Sequence, residues 1–348
     1  MPLSESGKIV RARAPLRLGL AGGGTDVSPF SNEFGGFVLN VTIGKYANVT
    51  IAPRGDGLVE LVAADREMSW SGPANEVLPP AKGLELHVGV YNRIVQEFEL
   101  KQPLSISIAT HSDAPPGSGL GSSSTMVVAL LQAFREYLTL PLGEYDIARL
   151  AYEIERVDLG LAGGKQDQYA AAFGGLNFME FYEDRVIVNP LRIKPEHRAE
   201  LESSLVLFFT GVSRESANII NEQVQNVKSG NQSSVQAMHE LKAEAVHMKE
   251  AVLKGDFEAL ADAMRRSWEA KKKMAQLISN EKINAIYEAA IQHGARAGKV
   301  SGAGGGGFMM FIVDPIKRPY VIKCLSQFSA SVSTCMFVEH GAHSWRVA

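Results

Sequence analysis

The chain has 348 residues, 45% hydrophobic and 21% charged, with a formal net charge of −3. That length exceeds what one hydrophobic core usually supports and predicts two domains, while the small charge gives no electrostatic case for a nucleic-acid partner or an acidic membrane surface. Its two cysteines, Cys324 and Cys335, lack metal-ligand spacing, residues 1–8 are polar, and no apolar run nears the roughly 20 residues of a membrane span, so a cytoplasmic protein, monomer or homodimer, acting on small molecules is expected.

Residues 9–20 and 37–52 read as strands, the second carrying Val38, Val41, Ile43, Val49 and Ile51. A helix over 84–99 comes next, then a strand in which Leu104, Ile106 and Ile108 alternate with polar or small residues. A glycine-rich loop at 115–124 leads into Met126, Val127, Leu130, Leu131, Phe134 and Leu138 at helical spacing. Residues 146–158 predict another helix, with Ile147, Leu150, Ala151, Ile154 and Val157 on one face. Gly174-Gly175 marks the turn into a strand at 176–181, with a second at 186–188.

The pattern changes near residue 195. A strand at 205–210, several helices between 216 and 293, a strand at 308–313, a helix at 319–328 and a last strand at 334–338 make an α+β series. Lys271-Lys272-Lys273 reads as the solvated face of a helix. The expected division is a mixed α/β domain over 1–195 and a second domain over 196–348, with the boundary at 190–195.

The 115–124 loop, Pro-Pro-Gly-Ser-Gly-Leu-Gly-Ser-Ser-Ser, offers glycines that let a ligand approach the backbone, and a helix start with unpaired N–H groups. Both suit the phosphates of a nucleotide. Taken alone, the loop reads more readily as a serine-capped helix after a flexible turn. The lysine-bearing P-loop string is absent, and the loop lies too far into the chain for a dinucleotide fingerprint.

Three further segments accompany it: Ala21-Gly22-Gly23-Gly24-Thr25-Asp26 after a strand bearing Arg17, Gly163-Gly164-Lys165-Gln166-Asp167-Gln168 after a helix bearing Glu153 and Glu155, and Ser301-Gly302-Ala303-Gly304-Gly305-Gly306-Gly307. Together, and in this order, they resemble the GHMP kinases over nearly the whole chain. Ala-Gly-Gly-Gly-Thr-Asp and Gly-Lys-Gln-Asp-Gln-Tyr are similar to the branch that phosphorylates D-glycero-D-manno-heptose 7-phosphate. The Gly-Glu-His-Thr-Asp of galactokinases is missing, which disfavours galactose.

The resemblance implies a two-domain fold whose second domain is ferredoxin-like with extra helices. It also implies transfer of the γ-phosphoryl group of ATP, with Mg2+, to the anomeric hydroxyl of the heptose, giving a 1,7-bisphosphate for nucleotide-activated heptose and surface glycan synthesis. Another sugar such as fucose is the runner-up acceptor. A nucleotide-binding sensor without turnover is the rival of a different class, and would be expected to lack Asp167 or the metal ligands.

Matched residue by residue, the nucleotide site comprises Pro116, Gly117, Ser118, Gly119, Leu120, Gly121, Ser122, Ser123 and Ser124, with Gly304 and Gly305 of the last segment. The metal ligands are Ser123, with Ser122 as competitor, and Glu155, which helical periodicity does not separate from Glu153. Asp167 would accept or orient the proton of the attacking hydroxyl, and Arg17 would stabilise charge on the transferred group. Gly24, Thr25, Asp26, Gly164, Lys165 and Asp167 would line the sugar site. Lys165 and Arg214 are candidates for the sugar's own phosphate.

Overall fold

The structure is a computed structural model that describes residues 8–75, 77–100, 102–211, 216–328 and 331–347. The first sheet starts with β1 (Val10–Ala21), a short helix α1 (Phe30–Phe34), β2 (Gly36–Pro53), and the hairpin β3 (Leu58–Ala63) and β4 (Met68–Pro73). Then come α2 (Glu85–Glu97), β5 (Ile106–Ser112), α3 (Ser122–Leu138), α4 (Glu144–Glu153) running into a π-helical turn at Ile154–Asp158, α5 (Gln166–Phe173), β6 (Leu176–Phe181) and β7 (Val186–Pro190). The long β2 serves two neighbours, pairing β6 through residues 36–41 and β5 through residues 47–53.

After α6 (Pro195–Ser204) the chain builds a second sheet from β8 (Leu205–Phe209), β9 (Ala295–Val300), β10 (Phe308–Val313) and β11 (Ser331–Ser333). Its order is β11-β8-β10-β9, all antiparallel, the 4-1-3-2 order of a ferredoxin-like sheet. Between β8 and β9 stand four helices, α7 (Ser216–Lys228), α8 (Gln232–Lys254), α9 (Phe257–Met274) and α10 (Glu281–Gln292), and α11 (Arg318–Leu325) joins β10 to β11. The expected ferredoxin-like domain with extra helices is present. No helix among the described residues is long and apolar enough to cross a membrane.

Several features differ from expectation at the ends of the sheets, among them the edge strand β9, since no strand was expected at 295–300. The β3–β4 hairpin lies outside the expected strands, and its outward positions mix apolar Leu58 and Val62 with Glu60, Ser69 and Ser71. The strand expected at 334–338 makes only an isolated bridge, Ile43 to Phe337, and the chain instead ends in β12 (His343–Arg346), which pairs with β1 in the first sheet. We propose the boundary at 195/196, with β12 crossing back over it.

The hydrophobic cores explain how these parts are held. Val10, Ala12 and Ala14 of β1 pack under α2 to α5, whereas Leu16, Leu18 and Leu20 join a core shared with Leu205, Met248, Met264 and Met310 of the second domain. The switch coincides with a register irregularity between Pro15 and Arg17. Such bulges re-aim side chains, and this one leaves Arg17 directed at α5.

Candidate active site

The loop ahead of α3 is open at its helix end. Asn231, Asp256 and Asn280 cap α8, α9 and α10 with side-chain bonds. The N-cap of α3 is Gly121, with φ of 77° and no side-chain cap, and the Ser122 hydroxyl turns away to donate to Pro115 O at 3.2 Å. The serines therefore do not close the helix start, and its first N–H groups are left for a ligand.

The glycine at 119 is dictated by close packing. It has φ of +81°, and a Cβ there would stand 2.4 Å from Ser301 O. The last glycine segment clamps the loop from behind: Phe308 N donates to Ser118 O at 2.8 Å, and Ser301 Oγ to Gly119 O at 2.8 Å. Gly302 and Ala303 reach the cavity wall, but Gly304 and Gly305 do not. These two, expected to contact nucleotide, pack on Ile278, whose carbonyl accepts from Gly305 N at 2.8 Å.

Between the two domains lies a cavity of about 660 Å³. The structure brings Arg17, Gly24, Asp26, Pro116, Gly117, Gly119, Gly121, Ser122, Ser123, Ser124, Glu155, Gly164 and Asp167 to its wall. Ser118 and Leu120 are fully buried behind the loop and act as its packing.

Asp167 sits in the first turn of α5, where β1 comes alongside. Its Oδ1 accepts from Arg17 Nε at 2.7 Å and lies 2.6 Å from Nη2, while Arg17 Nη1 donates to Gly119 O at 2.7 Å. One arginine thus ties the carboxylate to the phosphate loop. Its own burial, 4% of the side chain exposed, makes that geometry rigid.

The structure separates the two glutamates. Glu153 is partly exposed and pairs with Arg149 at 2.7 Å. Glu155, on the π-helical turn, is buried, accepts from Ser123 Oγ at 3.2 Å and from Gln168 Nε2 at 2.5 Å, and has Arg156 at 3.7 Å. The extra residue of a π turn displaces the side chains that follow and often marks a working site. A hydroxyl and a carboxylate are hard oxygen donors suited to Mg2+, which takes its remaining ligands from phosphates and water. No cluster of three or more His, Cys, Asp or Glu able to hold a metal occurs among the described residues.

Three sugar-site expectations change. Thr25 is fully buried, its hydroxyl bonded to Gly22 O at 2.8 Å and accepting from Phe37 N at 3.0 Å, so it braces the glycine turn. Lys165 lies off the cavity wall with Nζ on Tyr182 O at 3.1 Å, and burial lowers its pKa. Asp26 does reach the wall, but accepts four N–H bonds, from Gly24 N, Lys165 N, Gln166 N and Gln166 Nε2, at 2.9 to 3.1 Å. It staples the first glycine turn to the Asp167 segment. Arg214 lies outside the described residues.

The sequence reading also missed wall residues. Arg66, Arg156, Gln223 and Lys271 all face the cavity. Lys271 is the clearest correction: only 2% exposed, it is no part of a solvated face. The amphipathic spacing of α9, with Ala263, Met264, Ser267, Trp268 and Ala270 buried, was the available signal that position 271 also turns inward.

An open phosphate cradle facing a braced carboxylate can hold a phosphoryl donor against a hydroxyl acceptor, which is the arrangement of a phosphotransferase. Residues 85–175 match the GHMP kinases N terminal domain and residues 248–328 the GHMP kinases C terminal domain. A D-glycero-alpha-D-manno-heptose 7-phosphate kinase of Campylobacter jejuni is 49% identical over 98% of this chain and 100% of that one. The crystal structure of a D-glycero-D-manno-heptose 1-phosphate kinase from Bacteroides thetaiotaomicron superposes with a TM-score of 0.84 at 46% identity, over 97% of this chain and 99% of that one. An L-fucokinase/L-fucose-1-P guanylyltransferase of Bacteroides fragilis is 27% identical over 96% of this chain and 38% of its own length. The chain belongs to the GHMP kinase family. It is a phosphotransferase with an alcohol group as acceptor, in a family whose phosphate donor is ATP.

Proposed function

We propose that the protein uses magnesium and ATP to phosphorylate the anomeric hydroxyl of D-glycero-D-manno-heptose 7-phosphate, giving the 1,7-bisphosphate. The observation that carries the acceptor is the 49% identity, end to end, with the Campylobacter jejuni kinase. The geometry supports the chemistry.

The N–H groups of the 115–121 loop and of the first turn of α3 would bind the ATP phosphates. A smaller cavity of about 140 Å³, walled by Ala63, Leu86, His87, Thr110 and Met126 and sharing Ser122 and Ser123 with the main one, would take the nucleobase. His87 there is neutral through the physiological range, since burial pushes it down to about 4, and it bonds Thr110 Oγ1 at 2.8 Å. Ser123 and Glu155 would hold Mg2+, which when bound offsets charge on the phosphate oxygens.

With Oδ1 of Asp167 fixed by Arg17, the carboxylate is oriented to take the proton of the attacking hydroxyl. The acceptor oxygen bonds to the γ-phosphorus as the bond to the β–γ bridging oxygen breaks, and ADP leaves with that oxygen. Arg17 supplies fixed positive charge at the transferring group.

A phosphorus NMR assay with ATP and heptose 7-phosphate, heptose 1-phosphate, fucose, galactose and mevalonate tests the reading. A new anomeric phosphate signal with heptose 7-phosphate is expected. A new signal only with fucose or another acceptor would overturn it.

A further inference from the structure

We propose that Lys271, with Gln223 beside it, is the residue by which the second domain binds the anionic end of the acceptor, and so selects a phosphorylated sugar over a neutral one. The inference rests on the kinase reading above and names the receptor that reading requires.

Lys271 differs from its neighbours on α9. Lys272 and Lys273 reach Glu269 at 2.8 Å and Glu240 at 3.7 Å, as exposed lysines do. Lys271 is buried at the cavity wall, and its described hydrogen bond goes to one backbone carbonyl, Gly302 O. An ammonium taken out of water needs a counter-charge. The charged groups facing it are Arg17 from β1 and Lys299 from β9, which repel it, and Asp26 from the glycine turn, which attracts it. Asp26 is already committed to four N–H bonds, and Asp167 to Arg17. Over the whole wall four cations, Arg17, Arg66, Arg156 and Lys271, stand against three carboxylates, Asp26, Glu155 and Asp167, and an anionic ligand would complete the balance.

Position chooses which ligand. Lys271 Nζ lies 3.9 Å from where a Cβ on Gly23 would stand, and Gln223 Oε1 3.6 Å from the same point on Gly24. Both therefore face the first glycine turn. Of the other cations of the wall, Arg17 is held by Asp167, Arg156 lies near Glu155 and bonds Leu161 O and Gly164 O, and Arg66, bonded like Lys271 to one carbonyl, Gly83 O, also lines the smaller cavity. Burial pushes Lys271 down to about 8, so its charge falls away as pH rises through that value, whereas a sugar phosphate, with a second pKa of about 6, remains a dianion there.

The test compares kcat/KM for heptose 7-phosphate and for the unphosphorylated heptose, in wild type and Lys271→Met. We expect the variant to lower the ratio of the two by about tenfold or more, the worth of a charge-assisted bond. In wild type, KM for heptose 7-phosphate should climb above pH ~8, a readout that does not depend on the variant folding, and the climb should be absent in Lys271→Met. An unchanged ratio, a rise confined to KM for ATP, or a wild-type KM flat across pH 7 to about 9.5 would overturn the inference and leave the heptose kinase reading standing. A wild type that prefers the neutral sugar would sink both.

Discussion

Asp167 and Arg17 come from segments 150 residues apart and share one carboxylate oxygen, so each is the other's support. Asp167→Asn keeps the size but removes the proton acceptor and the ion pair, and Arg17→Met removes the charge over the transferring group. Each should cut turnover by about a hundredfold or more while circular dichroism stays native. Near-normal turnover in Asp167→Asn would remove it from the catalytic step. Both residues, with Ser123 and Glu155, were singled out through their motifs, and all four stand at the cavity wall. Thr25, Lys165, Gly304 and Gly305 lie off the cavity wall, since a motif gives chain order but not which of its residues the packing brings to a surface. The choice of Glu155 over Glu153 was beyond helical periodicity, since the π-helical turn at Ile154–Asp158 breaks that periodicity where it matters.

At the scale of elements, the loop ahead of α3 is held by Arg17 and Ser301 on Gly119 O and by Phe308 N on Ser118 O. Gly119 is the pinch point between α3 and the Ser301 segment. Gly119→Ala adds a methyl against a backbone carbonyl at positive φ, and should cost about 1–3 kcal/mol and raise KM for ATP more than KM for the acceptor. Thermal melts and steady-state kinetics read these two effects. Equal changes in both KM values, or none, would mean that the clamp does not shape the nucleotide site. The same element also shows why α9 was misread. Three consecutive lysines look solvated as a string, yet successive helix positions are about 100° apart, so one of three can face inward. Trp268 and Met274, both fully buried, bracket it.

Across the whole molecule, the two domains share an apolar core in which Leu16, Leu18 and Leu20 meet Met264 and Met310, and β12 closes the chain back onto β1. Domains joined this way should not melt separately. Leu18→Ala should destabilise the protein by about 2–5 kcal/mol in a single calorimetric transition. Two resolved transitions would show that the domains are independent. Length predicted two domains, alternation gave most strands of the first sheet, and the strand–helix series gave β8 and β10 of the second but not β9 or β11. The β3–β4 hairpin and β12 were not legible because short strands become strands only through their partners.

By itself the sequence carried the order of the glycine motifs and, through them, the resemblance to the family, because close backbone approach restricts residue type in those segments; the pairing of Asp167 with Arg17 was implied only by that resemblance. Only the tertiary structure decided which side chains reach the cavity. Burial and orientation depend on contacts between segments far apart in the chain, and those contacts turned Thr25 and Lys165 away from the cavity wall, made Asp26 a staple, and brought Lys271 to the wall.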